Sequence, residues 1–254
     1  YLKVLISRIM GERFEDITSK ADAPFISGSF YISSLIYEDI DAAMADVTLK
    51  EDSIADGFAA FYTEIERMRR FGFQPDEFER AKANILSALE TAAEKADTRK
   101  NPQFVRRILR NFFDKKPYMD PKDELELGKQ LLGMLNADIL NQVAPQLITD
   151  ENMVVIYTGP AKEGIATPAA DQLLGTIAAV KAADIQPLKG EEIASDFLDA
   201  SNLKAGKVKK TAKGPYGATE WTLSNGIVVT VLPTQHQKDQ ILFNLYRQGG
   251  QSLN

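Results

Sequence analysis

His236 is the only histidine among the 254 residues, and the chain contains no cysteine. A catalytic zinc site usually takes two or three histidines, and a thiolate nucleophile or thiolate metal ligand requires cysteine. The chain therefore cannot form such a site by itself, and a Ser-His-Asp triad would need His236 as its base. His236 lies in a polar loop with Asp239 as the nearest carboxylate. A solvated loop histidine is the favoured interpretation, and a metal ligand or general base is the alternative.

Two glutamate pairs, Glu64 with Glu66 and Glu77 with Glu79, could in principle serve as acid and base. Residues two apart on a helix do not face each other, so neither pair brings its carboxylates together. We expect exposed helix charges and favourable partners of a helix N-terminus instead. The glycines at 214–217 and 249–250 also lack the strand-to-helix context of a phosphate-binding loop. The sequence thus predicts no independent active site.

Two groups of arginines lie on predicted helices, and we expect both to form solvated faces. An anion site or a contact with a partner domain is the alternative. The two groups are Arg67, Arg69 and Arg70, and Arg106, Arg107 and Arg110. The net charge of −6 and the pI near 5.1 argue against a general nucleic-acid binder. No apolar run is long enough to predict a membrane span.

Hydrophobic periodicity predicts the first elements. Apolar residues from Leu2 to Ile17 form one stripe at helical spacing, and no cap or initiator Met precedes it. We therefore expect the chain to be a piece of a longer protein. Alternation at 26–36 and at 43–49 predicts an antiparallel pair with one buried face, starting at Ile26 and ending at Leu49.

Caps and breaks predict the helices that follow. Ser53 and Gly72 bound one helix, and Pro75 suits the first turn of the next. A third helix at 102–114 carries two apolar rows, which suits contact on more than one side. Shorter helices are expected at 123–135 and 137–147, with Asn136 between them, and another at 167–181. The short β-branched run at 153–157 predicts a buried central strand.

The segment 186–216 has few large apolar residues and a group of lysines, which predicts an interdomain linker. These lysines are not interleaved with aromatic residues, so nucleic-acid stacking is not supported. Strands are then expected at 219–223, 227–231 and 241–245, with Asn225-Gly226 as a hairpin turn. Three short strands rarely fold alone, so we expect a second domain that is cut off.

The order of these elements is similar to that of a known family. Residues 53–72, followed by Gln-Pro-Asp-Glu-Phe-Glu-Arg-Ala-Lys at 74–82, resemble the second domain of the pitrilysin/insulinase-type zinc metallopeptidases. Residues 219–227, and residues 239–243 running into Gly249-Gly250, resemble the opening of a further domain of the same type. The resemblance implies an α+β fold in which helices cover one face of an antiparallel sheet, a processing-peptidase-like metallohydrolase domain. A truncated β-meander would stand at the C-terminus.

In that family four homologous domains form two halves that close around an extended peptide. The first domain carries an inverted His-x-x-Glu-His motif; its two histidines and a distant Glu bind zinc, while its own Glu activates water. The resemblance maps residues 1–185 to an N-terminally truncated second domain, 186–216 to the interhalf linker, and 217–254 to the truncated start of the third domain. No catalytic, metal or substrate-binding residue is carried over to this chain.

The resemblance implies a non-catalytic segment of a zinc metalloendopeptidase, which forms part of the chamber wall and the hinge between halves. Its partners would be the zinc-bearing first domain, the C-terminal half of the same chain and a peptide substrate, with zinc held in the parent protein only. A bacterial periplasm or cytoplasm is the expected location. One alternative is a catalytically inactive scaffold subunit of the same fold. Another is an unrelated helical binding module that uses the face of Arg106, Arg107 and Arg110.

Overall fold

The computed structural model describes residues 1–36, 40–160, 162, 164–190, 201, 203–204, 206–235 and 241–247. The chain divides into two units, Tyr1–Ile193 and Ala194–Asn254. The predicted α+β class is confirmed. Helices dominate the described part of the first unit, and the second unit contains a small antiparallel sheet.

The first unit begins with a helix and one pair of strands, and a series of helices follows. Its elements are α1 (Leu2–Thr18), β1 (Phe25–Ile36), β2 (Ile40–Leu49), α2 (Ile54–Phe71), α3 (Pro75–Glu94), α4 (Asn101–Asp114), α5 (Pro121–Gly133), α6 (Ala137–Leu147) and α7 (Ala170–Ala182). Those of the second unit are β3 (Val208–Lys213), β4 (Thr219–Leu223) and β5 (Val228–Val231).

Local sequence signals set most helix ends where they were predicted. Gly72 ends α2 with a φ of 66°, a conformation that costs a residue without Cβ least. Pro75 occupies the first turn of α3, and the Asn136 side chain accepts a hydrogen bond from the backbone N–H of Ile139 at the start of α6. Ser53 precedes α2 as expected, but its side chain makes no capping hydrogen bond. Helix α7 begins at Ala170, three residues after the predicted start.

The core of the first unit lies where α1 and α2 pack on the strand pair. Phe14 of α1 stacks on Phe61 of α2 with 4.7 Å between ring centroids, and Phe25 of β1 meets both rings edge-on. Gly28 lies directly under these rings, since a Cβ placed there would stand 2.9 Å from Phe14. The predicted stripe on α1 is confirmed, with its central members completely buried.

The strand pair is confirmed, but its predicted buried face is only partly right. β1 and β2 pair antiparallel, with an irregularity between Phe25 and Ser27. This irregularity turns Phe25 into the core and leaves Ile26 58% exposed, because one extra residue reverses the alternation. Ala43 and Ala45 are also exposed, in contrast to the prediction.

The second unit is a three-stranded antiparallel sheet in the order β3-β4-β5. The predicted turn at Asn225-Gly226 is confirmed, with a φ of 87° at Gly226. β3 lies inside the lysine-rich segment predicted as a linker and pairs with β4. The expected strand at 241–245 is wrong, since residues 241–247 belong to no strand and their large apolar side chains are exposed. An apolar strand is stable when its side chains pack against another surface, and none of the described residues packs against 241–247 in this way.

Helix α4 was predicted to be in contact on more than one side, and this is not observed. Its bounds agree with the sequence pattern, but no residue of α4 is buried against the described part of the chain. The exposed apolar side chains are Val105, Ile108, Leu109, Phe112 and Phe113. Among the described helices none is both long enough and apolar enough to cross a membrane.

Gly28 and Gly11 offer a matched test of this packing. We expect Gly28→Ala to destabilise the first unit by about 1–3 kcal/mol, because the new methyl group would displace the stacked rings. A Cβ at Gly11, inside α1, meets no atom within 4 Å, so Gly11→Ala should stabilise by about 0.5–1 kcal/mol.

Urea unfolding followed by far-ultraviolet circular dichroism measures both effects, because all described α-helices lie in the first unit. The single tryptophan, Trp221, lies in the second unit and provides an independent fluorescence control. Equal effects of the two substitutions would contradict the packing at Gly28.

Candidate functional site

A cleft of about 1150 Å³ lies beside β2 in the first unit. One wall is β2 itself, and the opposite wall is residues 147–160. Apolar side chains of α2 and α7 form the floor, among them Phe58, Phe61 and Ile177. An open apolar cleft of this size, lined largely by a strand, is suited to an extended polypeptide.

β2 presents an open edge to this cleft. It pairs with β1 on one side, and no other strand in the described part of the chain pairs with it. An unpaired edge leaves every second backbone N–H and C=O group without a ladder partner, which makes it a template for another strand.

The opposite wall contains residues 153–157, which were predicted to form a buried central strand. This prediction is wrong, because the residues pair with no described strand and are not buried. These residues belong to no assigned strand, and none of them makes a hydrogen bond between backbone groups within the described part of the chain. Exposure alternates with a period of two: Met153 and Val155 are 40% and 37% exposed, while Val154 and Ile156 are 79% and 81% exposed. The segment thus has the side-chain alternation of a strand without its neighbours.

A buried ion pair joins three helices at the other side of the core. Arg13 of α1 is 5% exposed and Glu77 of α3 is 6% exposed. The guanidinium binds both carboxylate oxygens, with Nε–Oε1 and Nη2–Oε2 distances of 2.6 and 2.7 Å. Nη2 also donates to the carbonyl of Gly72, and Glu77 accepts a hydrogen bond from the backbone N–H of Gln74. Such fork geometry is the strongest form of the arginine–carboxylate contact.

The prediction that the four paired glutamates are exposed is wrong for three of them. Glu64, Glu66 and Glu77 are buried and bound by arginines, and Glu79 alone is exposed. Arg67 binds Glu64, and both Arg69 and Arg70 bind Glu66. The carboxylates are thus neutralised by fixed cations, which removes the acid–base role that their spacing had already argued against.

The first arginine group also contradicts the expected solvated face. Arg70 donates to the carbonyls of Lys181 and Ala183, and Arg67 donates to the carbonyl of Gln186. These carbonyls lie at and beyond the C-terminus of α7, where backbone acceptors lack helical partners and a cation is favourable. The arginines therefore fasten α7 to α2.

Asp150 connects this arrangement to the wall of the cleft. Its carboxylate binds Lys181 at 2.6 Å and Arg69 at 2.8 Å. The hydrogen bonds from Lys181 and Arg69 lower the pKa of Asp150 below its usual range. Tyr62 of α2 lies near these charges, and burial raises the pKa of its hydroxyl. The cleft wall is thereby held by charges, although the segment beyond it has no strand partner.

No model of a known protein family matches the sequence. Two curated relatives resemble it. A zinc protease PQQL-like protein of Arabidopsis thaliana is 24% identical over 74% of this chain, and the probable zinc protease PqqL of Escherichia coli is 21% identical over 94%. The chain spans 20% and 26% of the length of these relatives.

Solved structures have the same fold. The crystal structure of the periplasmic protease PqqL from E. coli matches 93% of the chain with a TM-score of 0.65, and the match covers 26% of that protein. The first half of PqqL matches 73% with a TM-score of 0.62, covering 40% of that half. A structure described as a predicted insulinase family protease from Yersinia pestis matches 71% with a TM-score of 0.59. All are 17% identical or less.

The chain is thus similar in sequence to proteins named as zinc proteases of the PqqL type, and it shares the fold of a predicted insulinase family protease.

Zinc sites of pitrilysin/insulinase-type proteins need a donor set that the described residues do not offer. No group of three or more histidine, cysteine, aspartate or glutamate side chains in this part of the chain could hold a metal ion. The buried carboxylates are occupied by arginines, as described above. His236, Asp239 and the Gly249-Gly250 pair lie outside the described residues, so their predicted roles stay predictions.

The second arginine group, Arg106, Arg107 and Arg110, is less buried than the first. Arg107, in the middle of α4, binds Glu124 of α5 and donates to the carbonyl of Met119, which attaches α4 to α5. Arg106 and Arg110 are exposed. The group is therefore divided between a structural contact and solvent, and nothing brings its three members to one ligand.

Sequence reasoning missed the buried ion pairs, although a signal for some of them exists. Glu64 and Glu66 stand three or four residues before arginines, a spacing that places opposite charges together on one helix. The pair of Arg13 and Glu77 is separated by 64 residues and has no local signal.

The ion pair of Arg13 and Glu77 predicts strong coupling. Arg13→Met should cost about 3–5 kcal/mol of unfolding free energy, because it leaves the Glu77 carboxylate buried without its cation. The double variant Arg13→Met/Glu77→Leu should regain most of this loss, since both charges are removed. Urea unfolding of Arg13→Met, of Glu77→Leu and of the double variant measures the coupling energy. A double variant whose loss equals the sum of the two single losses would contradict the pair's role.

The lowered pKa of Asp150 predicts a dependence on pH. Because the folded-state pKa lies below the unfolded value, the ion pairs stabilise the protein above the unfolded pKa and cease to do so as pH falls through the folded one. Asp150→Asn should cost less than about 1 kcal/mol near neutral pH, since the side chain is largely exposed. The difference from wild type should disappear at acid pH, and added salt should shrink it. Glu79→Gln on the exposed face of α3 serves as control and should show no such pattern.

Proposed function

We propose that the chain is a non-catalytic segment of a zinc-dependent metalloendopeptidase. The observation that carries this proposal is its partial coverage of relatives named zinc proteases, combined with the absence of a metal-binding cluster among the described residues. A longer parent chain would supply the zinc ligands and the catalytic Glu, and this segment would supply structure around them.

The two matches to PqqL support a position at the boundary between the halves. The first half of PqqL matches 73% of the chain, whereas the whole protein matches 93%. The additional fifth of the chain is close to the second unit in size, although somewhat shorter. We assign the first unit to the end of the first half and the second unit to the start of the second half.

This assignment gives each part of the segment a role. The first unit would form part of the wall of a chamber that encloses a peptide, and it would contact the zinc-bearing domain. Residues between α7 and β3 would join the halves and serve as the hinge. Its partners would be the remaining domains of the same chain and the peptide substrate.

A catalytically inactive scaffold subunit of the same fold is the second candidate. The described residues contain no group that could hold a metal ion, and both candidates share this property. The two differ in the sequence before Tyr1: an active parent encodes His-x-x-Glu-His and a later Glu, and a scaffold subunit lacks them.

The function is tested by comparing this chain with the longer chain of its own gene. The 254-residue chain should bind no stoichiometric zinc and cleave no fluorogenic peptide, because its own residues offer no zinc site. The longer chain should do both. Elemental analysis and a peptide-cleavage assay with and without chelator measure the two properties.

His236→Ala in the longer chain is the control, and it should change neither zinc content nor cleavage. Zinc-dependent cleavage by the 254-residue chain would overturn the proposal. A longer chain without zinc and without cleavage would favour the scaffold subunit.

A further inference from the structure

We propose that helix α4 is a membrane-surface helix, which lays its apolar face on a bilayer that contains anionic phospholipids. The inference goes beyond the proposed role in a zinc peptidase and does not depend on it. It concerns a helix that lies in the plane of the bilayer surface, since no described helix is suited to cross a membrane.

Helix α4 has one continuous apolar face that no described residue covers. Its five large apolar side chains are between 48% and 73% exposed. At about 100° per residue they fall within an arc of about 140°, which is wide enough for a stripe along the helix. They are Val105, Ile108, Leu109, Phe112 and Phe113. The 14 residues of the helix make this stripe about 20 Å long.

The opposite side of α4 attaches the helix to the first unit. Arg107 lies about 180° around the helix from the middle of the apolar arc, and it pairs with Glu124 of α5. Phe104, beside the arc, is half-buried, and the guanidinium of Arg99 lies 4.6 Å from its ring centroid. These contacts hold the helix without using its apolar face.

The charge of this part of the chain is opposite to that of the whole. Seven basic residues and one acidic residue lie at 99–116, which gives a formal charge of +6, whereas the whole chain has −6. If the count continues to Glu124 of α5, the charge is still +4. Because the Debye length is about 8 Å at physiological ionic strength, a surface in contact with α4 interacts mainly with these nearby charges.

Two arginines border the apolar face. Arg106 and Arg110 lie about 20° and 60° around the helix from Phe113, and both are exposed. Neither pairs with an acidic side chain among the described residues, in contrast to Arg107. With the apolar face on a bilayer, their guanidinium groups would lie at the level of the lipid phosphates, which arginine binds through two parallel hydrogen bonds.

A hollow of about 130 Å³ continues this border at the C-terminal end of α4. Its lining includes Arg110, Lys116 and Tyr118, together with the pair of Arg107 and Glu124. Tyrosine is enriched where acyl chains meet headgroups, because its ring is apolar and its hydroxyl is polar. The hollow therefore suits a phospholipid headgroup at the edge of the apolar face.

A bilayer fits these features better than a second copy of the chain does. A two-fold contact between two α4 helices would bring Arg106 and Arg110 of one copy near those of the other, and like charges across an interface are unfavourable. Phenylalanine and leucine on one face, with arginines beside them, are typical of helices that lie on anionic membranes.

Vesicle sedimentation without zinc or substrate tests the inference. The 254-residue chain and the longer chain of its gene should both bind vesicles of equal parts phosphatidylglycerol and phosphatidylcholine. Binding to vesicles of phosphatidylcholine alone should be weaker by about 10-fold or more, because these carry no net charge. Added salt should weaken binding to the anionic vesicles. The result is separate from zinc content and peptide cleavage, so either proposal can fail while the other stands.

A matched pair of double variants tests the role of the arginines. Arg106→Gln/Arg110→Gln should weaken binding to the anionic vesicles by on the order of 10-fold, because it removes two charges beside the apolar face. Lys209→Gln/Lys210→Gln removes the same net charge from exposed side chains of β3. It should change binding by less than about 2-fold, because these lysines lie outside α4.

A second matched pair tests the apolar face. Leu109 of α4 and Leu174 of α7 are 48% and 53% exposed, and both are helical. Leu109→Ala should weaken vesicle binding by roughly 10-fold, because it removes apolar surface that enters the bilayer, whereas Leu174→Ala should not. Far-ultraviolet circular dichroism confirms that each variant retains its helices.

Four outcomes would overturn the inference. Equal binding to charged and uncharged vesicles would remove the role of the anionic lipid. Equal losses in a folded variant and its control would remove the role of α4. Binding by the 254-residue chain but not by the longer chain would show that other parts of the protein cover this helix. A dimer in sedimentation that Leu109→Ala abolishes would assign the apolar face to a second copy.

Discussion

The bond between Arg13 and Glu77 is the constraint on which the first unit depends. Two opposite charges are held away from water, so each is tolerable only when the other stands within hydrogen-bonding distance. The guanidinium also takes the carbonyl of Gly72, which ties the end of α2 to the same point. The charges are therefore paired only where three helices meet. Two of these helices, α1 and α2, also contribute Phe14 and Phe61 to the aromatic cluster with Phe25.

The elements on the two sides of the cleft are each attached to the rest of the first unit. β1 pairs with one side of β2, and the rings of Phe14 and Phe61 pack on Gly28 of β1. Asp150 is bound by Arg69 and Lys181, which attaches the chain just before residues 153–157 to α2 and α7.

Elements encoded by local signals could be predicted from the sequence, whereas features that need distant partners could not. Gly72, Pro75 and Asn136 act through their own backbone conformation or hydrogen bonds, and they stand where the pattern placed them. The apolar run containing Val155 has the composition of a strand, but its pairing depends on residues far away in sequence.

The candidate site was still less accessible to sequence reasoning than the fold. Burial of Glu66 depends on α7 covering α2, and the exposure of Ile26 depends on one irregular step in strand register. The lack of a histidine-rich zinc site, by contrast, follows from the composition alone, because the residues needed for it are too few. The resemblance to a known family was predicted from the order of several weak motifs, each uninformative when taken singly.

Arg67 and Arg70 of α2 donate hydrogen bonds to backbone carbonyls at and beyond the end of α7, and not to its side chains. Carbonyl oxygens are the same whatever residue carries them, so the end of α7 can change its sequence freely without losing this attachment. Selection should then act unevenly on the two sides of the contact. Among related proteins, Arg67 and Arg70 should persist while residues 183 and 186 drift.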